Sequence, residues 1–144
     1  MNITEVHNHE HAFYQRQFEQ ERQHGGACRG KPYKTLNLTD YRINCYGQTL
    51  PGDQFDEVVA AMRDANTVII GSPLYWHNIC GSVRNLLDRF YGPVESGSMR
   101  GKKLMFILQG AAPEKWMLDA GEYTMQRFAA LYGFTYQGMA TNEH

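Results

Sequence analysis

Thr67–Gly71 (TVIIG) and Lys103–Leu108 (KLMFIL) carry apolar runs in which polar and apolar residues do not alternate. A strand with one solvated face alternates in polarity along its length, so unbroken runs of this kind belong to strands covered on both faces. Between them the period changes to that of a helix. Gln54–Ala65 sets Phe55, Val58, Val59 and Met62 at helical spacing, and Ser82–Phe90 does the same with Val83, Leu86, Leu87 and Phe90. Trp116–Tyr132 reads as a long helix with Met117, Tyr123, Phe128 and Leu131 available for packing. Tyr33–Leu38 and Phe134–Ala140 read as further strands, the second following Gly133, which ends the helix. This alternation predicts right-handed crossovers and one open parallel sheet between helices, an α/β architecture of three layers. In such a sheet a ligand binds beyond the carboxyl ends of the strands, where strand order reverses.

The N-terminal third departs from that regularity. Its strand candidate, Asn2–Val6 (NITEV), sets Thr4 and Glu5 among Ile3 and Val6, which is atypical for the centre of a parallel sheet. Ala12–His24 reads as a polar helix with Phe13, Tyr14 and Phe18 on its modest apolar face, ended by Gly25 and Gly26. At 144 residues the chain fits one domain, residues 1–144, of which residues 1–30 are the atypical part. With 14 Lys and Arg against 15 Asp and Glu there is no positive field to gather nucleic acid or anionic lipid. No run reaches the roughly 18–20 apolar residues of a membrane span, and the start MNITEVHNHEH lacks a signal peptide's basic and apolar regions. Cys28, Cys45 and Cys80 are odd in number and form no C-x-x-C pair, so they read as reduced thiols in a cytoplasmic protein.

The segment Ser72-Pro73-Leu74-Tyr75-Trp76-His77-Asn78 stands at the predicted mouth of the sheet, followed by Gly81 and a helix. A flat aromatic ligand needs a wall to stack on, donors at its polar edge and backbone that comes close, and these residue types supply all three. The same aromatics could instead cap the core, and on residue types alone the two readings are equal. His77 reads as a solvated loop histidine.

The stretch IIGSPLYWHNICGSVRNLLDRF resembles the signature of the flavodoxin-like NAD(P)H-dependent FMN reductase and quinone reductase superfamily: an apolar strand, a small residue and Pro, an aromatic pair, a Gly, and a helix ending Asp-Arg-Phe. The matching positions are Pro73, Tyr75, Trp76, Gly81, Leu87, Asp88, Arg89 and Phe90. Looser similarity covers Asp40–Cys45, Phe55–Glu57 and Arg100–Lys103. The resemblance implies a flavodoxin-like sheet in the order 2-1-3-4-5, FMN as cofactor, and NADH or NADPH as electron donor. It implies a small acceptor, such as a quinone or free flavin, reduced by hydride transfer through flavin N5. It places FMN against the loop Ser72–Asn78, with a second contact from Gln109, Gly110 and Ala111, and it implies a homodimer with the flavin near the interface. No catalytic side chain is assigned.

Members of that superfamily wrap the FMN phosphate with a loop after the first strand, and here the resemblance is weakest. This chain has His7-Asn8-His9-Glu10-His11 there, so His9 and His11 are the candidates for the phosphate, at the start of a helix whose free N–H groups favour an anion. The alternation of His7, His9 and His11 would also offer imidazoles to a metal from one face of a strand, though no further ligand is in sight and no metal is assigned. Cys45–Asp53 occupies the place where some relatives carry a cysteine-rich cluster loop, and one cysteine holds no cluster. The alternative to the reductase is a degenerate relative that has lost FMN and serves as a binding or assembly module.

Overall fold

The computed structural model describes residues 2–7 and 33–142. Strands β1 (Ile3–His7), β2 (Tyr33–Asn37), β3 (Thr67–Tyr75), β5 (Lys103–Gln109) and β6 (Thr135–Thr141) form a parallel sheet in the order β2-β1-β3-β5-β6. The two-residue β4 (Asn78–Ile79) pairs antiparallel with the end of β3. With β4 set aside, the order is the expected 2-1-3-4-5. Helices α1 (Phe55–Asp64), α2 (Gly81–Phe90) and α3 (Lys115–Tyr132) connect the strands from β2 onward.

Successive side chains of a strand point to opposite faces, and here the two faces differ. Val6, Val68, Ile70, Leu104, Phe106 and Leu108 join the buried faces of all three helices in one core. Ile3, Ile69 and Ile107 form a smaller cluster on the other face, with Met105 and Ala140 against it. Phe90 is the hub of the main core. Its ring meets Phe55 at 5.7 Å, Phe128 at 4.9 Å and Tyr132 at 5.0 Å between centroids, all edge to face, the arrangement that aromatic quadrupoles favour.

β1 runs Ile3–His7, one residue beyond the sequence reading, and it is central despite its polar content. Thr4, Glu5 and His7 are all buried. The Thr4 hydroxyl donates to the Ala61 carbonyl of α1 at 3.1 Å, and the Glu5 and His7 side chains, two residues apart on one face, approach to 3.6 Å. Buried polar groups of this kind are tolerated when they meet one another. The ladders to β2 and β3, not side-chain polarity, fix the place of this strand.

Two readings of α3 change. The helix opens at Lys115, and while Met117 and Phe128 pack in the core, Tyr123 and Leu131 face solvent. Its end is as the sequence suggests: Gly133 is left-handed (φ +89°) and its N–H bonds the Ala129 carbonyl. The backbone N–H groups of Gly97 and Met99 take the carbonyls of Leu131 and Tyr132 at 3.0 and 2.8 Å, so the loop before β5 caps the helix.

The Asp-Arg-Phe ending of α2 has a physical meaning. Phe90 fills the core, while Arg89 clamps the segment between β2 and α1. Arg89 Nη2 lies 2.6 Å from Asp53 Oδ2, its Nη1 donates to the Asn44 carbonyl at 2.8 Å, and the guanidinium sits 4.6 Å from the Phe55 ring centre. Asn85 of the same helix donates to the Ile43 carbonyl at 3.0 Å. Asp88 lines a groove described below. The hydrogen bond from Arg89, helped by the Phe55 and Asn44 N–H groups, holds the Asp53 carboxyl below its ordinary pKa against some opposing desolvation. A depressed carboxylate stabilises the fold above its unfolded pKa, about 3.9, and loses that contribution as pH falls through the folded value. Arg89→Met is therefore expected to cost about 2 kcal/mol at pH 7 and distinctly less at pH 3, read from urea unfolding at the two pH values.

Candidate functional site

The carboxyl ends of β1, β3 and β5 lie side by side, with His7 in register with Gly71 and Pro73 with Gln109. The strand read as Thr67–Gly71 is longer in the structure. β3 continues through Ser72, Pro73 and Leu74 to Tyr75, and the loop proper is Trp76-His77 alone, because β4 folds straight back and pairs Tyr75 with Asn78. Proline is acceptable at the end of a strand, where the ladder runs out. The Ser72 hydroxyl closes this hairpin: it accepts the Cys80 N–H at 2.9 Å and donates to the Pro73 carbonyl at 2.8 Å. Asn78 Oδ1 accepts the N–H of Ile79 at 2.8 Å. Cys80 itself is buried, in keeping with a packing role.

Both loop residues are left-handed, Trp76 at φ +48° and His77 at φ +66°. A two-residue hairpin loop with both φ values positive is the type I′ turn, ordinarily occupied by Asn-Gly. Trp76 is 94% exposed. The His77 ring contacts that of Trp116, in the first turn of α3, at 5.2 Å between centroids. Of the two readings left open for the aromatics, capping of the core therefore fails for Trp76 and holds in part for Leu74 and Tyr75, which are half-buried against it.

The second predicted contact lies across from this hairpin. Gln109 is 3% exposed at the end of β5, and its amide Nε2 has no hydrogen-bond partner among the described residues. A buried donor left open at the carboxyl end of a central strand fits an acceptor brought by a ligand. Gly110 touches the hairpin: a Cβ placed on it would stand 3.1 Å from Leu74 Cβ. The Gly110 N–H donates to Asn142 Oδ1 at 3.0 Å, and Asn142 Nδ2 donates back to the Gly110 carbonyl at 2.7 Å. This amide pair pins the loop after β5 to the end of β6. Ala111 is exposed beside it.

The structure thus brings Pro73–Asn78 and Gln109–Ala111 together at one end of the sheet. His9, His11 and the helix candidate Ala12–His24 lie outside the described residues. His7 is buried in β1 beside Glu5. Among the described residues no group of three or more metal-ligating side chains occurs, and no helix is long and apolar enough to cross a membrane. Sequence reasoning missed two residues of this end. Trp116 reads as the first residue of a helix, and Asn142 follows the last strand with no local pattern; both matter through contacts spanning more than 30 positions.

Residues 14–141 match the sequence profile of the family described as NADPH-dependent FMN reductase. An iron-sulfur flavoprotein of Archaeoglobus fulgidus is 38% identical over 68 residues, covering 42% of this chain and 34% of that protein. Among solved structures, flavone reductase superposes with a TM-score of 0.75 at 15% identity, over 98% of this chain and 54% of its own. The azoreductase from Bacillus anthracis str. Sterne gives 0.76 at 12% identity, over 98% and 86%. These structural likenesses show the flavodoxin-like fold. The chain spans about a third of the curated relative and about half of flavone reductase.

Proposed function

This chain belongs to the NADPH-dependent FMN reductase family, and on that premise we propose that it is an FMN-dependent oxidoreductase that draws electrons from NADH or NADPH and reduces a quinone, free flavin or a related small acceptor. The observation that carries the reading is the open amide of Gln109, buried where the hairpin of β3 and β4 meets the loop after β5. FMN supplies the hydride chemistry when bound; the protein supplies binding, orientation and a dry edge. Gln109 would donate to the polar edge of the ring system. Pro73, Leu74 and Tyr75 give that edge an apolar border, and Asn142 keeps the Gln109–Ala111 backbone from closing over it. The Ser72 hydroxyl, already engaged at both ends, acts by holding the hairpin. The thiol usage of the chain supports a cytoplasmic setting.

The test is an absorbance spectrum of the purified protein after incubation with FMN and dialysis. Retained bands near about 370 and 450 nm, bleached by NADH or NADPH without air, are the expected result. A protein that stays colourless sinks the reductase reading and leaves the binding or assembly module, for which the polar β1 at the mouth of the site speaks.

We also propose that two copies pair through a groove of about 500 Å³ between α2 and α3. Tyr91 and Leu131, both largely exposed, line it, and Arg84, Arg127 and Asp88 share that face. A two-fold axis there would set the arginines of each copy toward the aspartate of the other, a self-complementary patch. Sedimentation should show a wild-type dimer and a Leu131→Glu monomer; a wild-type monomer at assay concentrations removes the proposal.

A further inference from the structure

The groove between α2 and α3 has the build of a ligand cleft. α2 presents Arg84, Leu87, Asp88 and Tyr91 to it, and α3 presents Thr124, Arg127, Phe128 and Leu131. Both sets are spaced i, i+3, i+4, i+7, which keeps four side chains on one face of a helix. The two helices end side by side, because the rings of Phe90 and Tyr132 meet at 5.0 Å. The groove is therefore graded along its length. Arg84 and Arg127 stand toward one end, and Tyr91, tilted against Tyr46 at 6.2 Å, stands with Tyr132 at the other. The step from Arg84 to Tyr91 is about 10 Å along the helix axis. Between the two ends the floor is apolar, made by the buried Leu87 and Phe128.

Both ends hold polar groups that lack a partner. Tyr132 is 4% exposed, its remaining surface opens on the groove, and its hydroxyl has no hydrogen-bond partner among the described residues. A phenol so placed carries a desolvation cost that an incoming polar group relieves. Burial, and then the neighbouring Tyr91, raise its pKa, so it stays a neutral donor at neutral pH. Arg84 and Arg127 enter no ion pair or hydrogen bond among the described residues. Asp88 is the one carboxylate among the described residues that line the groove. Two guanidiniums against one aspartate suit a ligand with a single negative charge, and about 500 Å³ is ample for a small molecule. We propose that the groove binds an aryl monocarboxylate, with its carboxylate on Arg84 and Arg127, its ring against Tyr46 and Tyr91, and a ring hydroxyl on Tyr132. None of these residues belongs to the hairpin of β3 and β4 or to Gln109–Ala111, so the site stands apart from the flavin's contacts. Pairing of two copies uses the same arginines, so ligand and partner exclude one another and the ligand regulates assembly. That consequence rests on the pairing proposed above; the binding does not.

The experiment titrates p-hydroxyphenylpropionate into the purified full chain by calorimetry, with and without saturating FMN. Saturable one-to-one binding is expected, with the same dissociation constant in both cases. Arg127→Gln should weaken it about three- to tenfold, and so should replacing the acid by its uncharged amide. Tyr132→Phe keeps the ring and should weaken the hydroxylated acid about fivefold while leaving plain phenylpropionate unchanged, a difference that general damage to the fold does not produce. Sedimentation with saturating p-hydroxyphenylpropionate should convert dimer to monomer. Absence of saturable binding, an unchanged constant in Arg127→Gln, equal losses for both acids in Tyr132→Phe, or competition by FMN would each overturn the site. A dimer that persists with the acid bound would overturn the competition. A wild-type monomer without any ligand would remove the pairing and the competition with it, while the calorimetry still decides the site.

Discussion

Replacing Phe90 by alanine is expected to lower the unfolding free energy by about 3–5 kcal/mol. Phe90 is fully buried and, among the described residues, is the one ring in contact with Phe55 of α1 and with Phe128 and Tyr132 of α3. Removing it takes away apolar burial and three edge-to-face contacts at once. The cavity would lie between three helices, each tied to the sheet, so the walls have little freedom to collapse. Urea unfolding at pH 7 measures the loss. Phe90→Leu keeps most of the volume and should lose less than half as much. A loss under about 1 kcal/mol for the alanine variant would mean that the helices close over the gap and that Phe90 is not the hub of the core.

The second large effect is expected on ligand binding. Gly110→Val should weaken FMN affinity by at least about tenfold, equivalent to 1.4 kcal/mol, with far-UV circular dichroism unchanged. The reason is a single close approach. A Cβ at Gly110 would already stand 3.1 Å from Leu74 Cβ, and the two valine methyl groups add bulk where Leu74 is backed by the core. The Gly110 backbone cannot retreat freely, since Asn142 holds both its N–H and its carbonyl. The strain must then pass to the hairpin of β3 and β4 or to Gln109, and either shift spoils the meeting of the two segments. Gly110→Ala should fall between wild type and valine. Equal FMN affinity in all three proteins would show that the flavin does not depend on this contact.

Much of the molecule was legible in the sequence because its signals are local. The unbroken apolar runs at Thr67–Gly71 and Lys103–Leu108 announced strands covered on both faces, and the helical spacing of Val83, Leu86, Leu87 and Phe90 announced the buried face of α2. Gly133 marked the end of α3, since a left-handed cap costs glycine little. The density of matches around Pro73, Tyr75 and Trp76 pointed to the family. These features depend on the period and chemistry of neighbouring residues, which a linear string displays in full.

Tertiary structure alone decided the rest. The sequence could not show that β3 runs on through Pro73, because that extension depends on β5 and β4 pairing beside it. A strand holding Thr4 and Glu5 reads as a poor centre for a sheet, yet it is placed there by ladders on both sides, with Glu5 meeting His7 at its end. Arg89 finds Asp53 across 36 positions, Asn142 finds Gly110 across 32, and His77 finds Trp116 across 39. Contacts at such separations leave no periodic trace in the chain. They exist because chain topology brings the ends of different strands to one place, and at that place the candidate site is built.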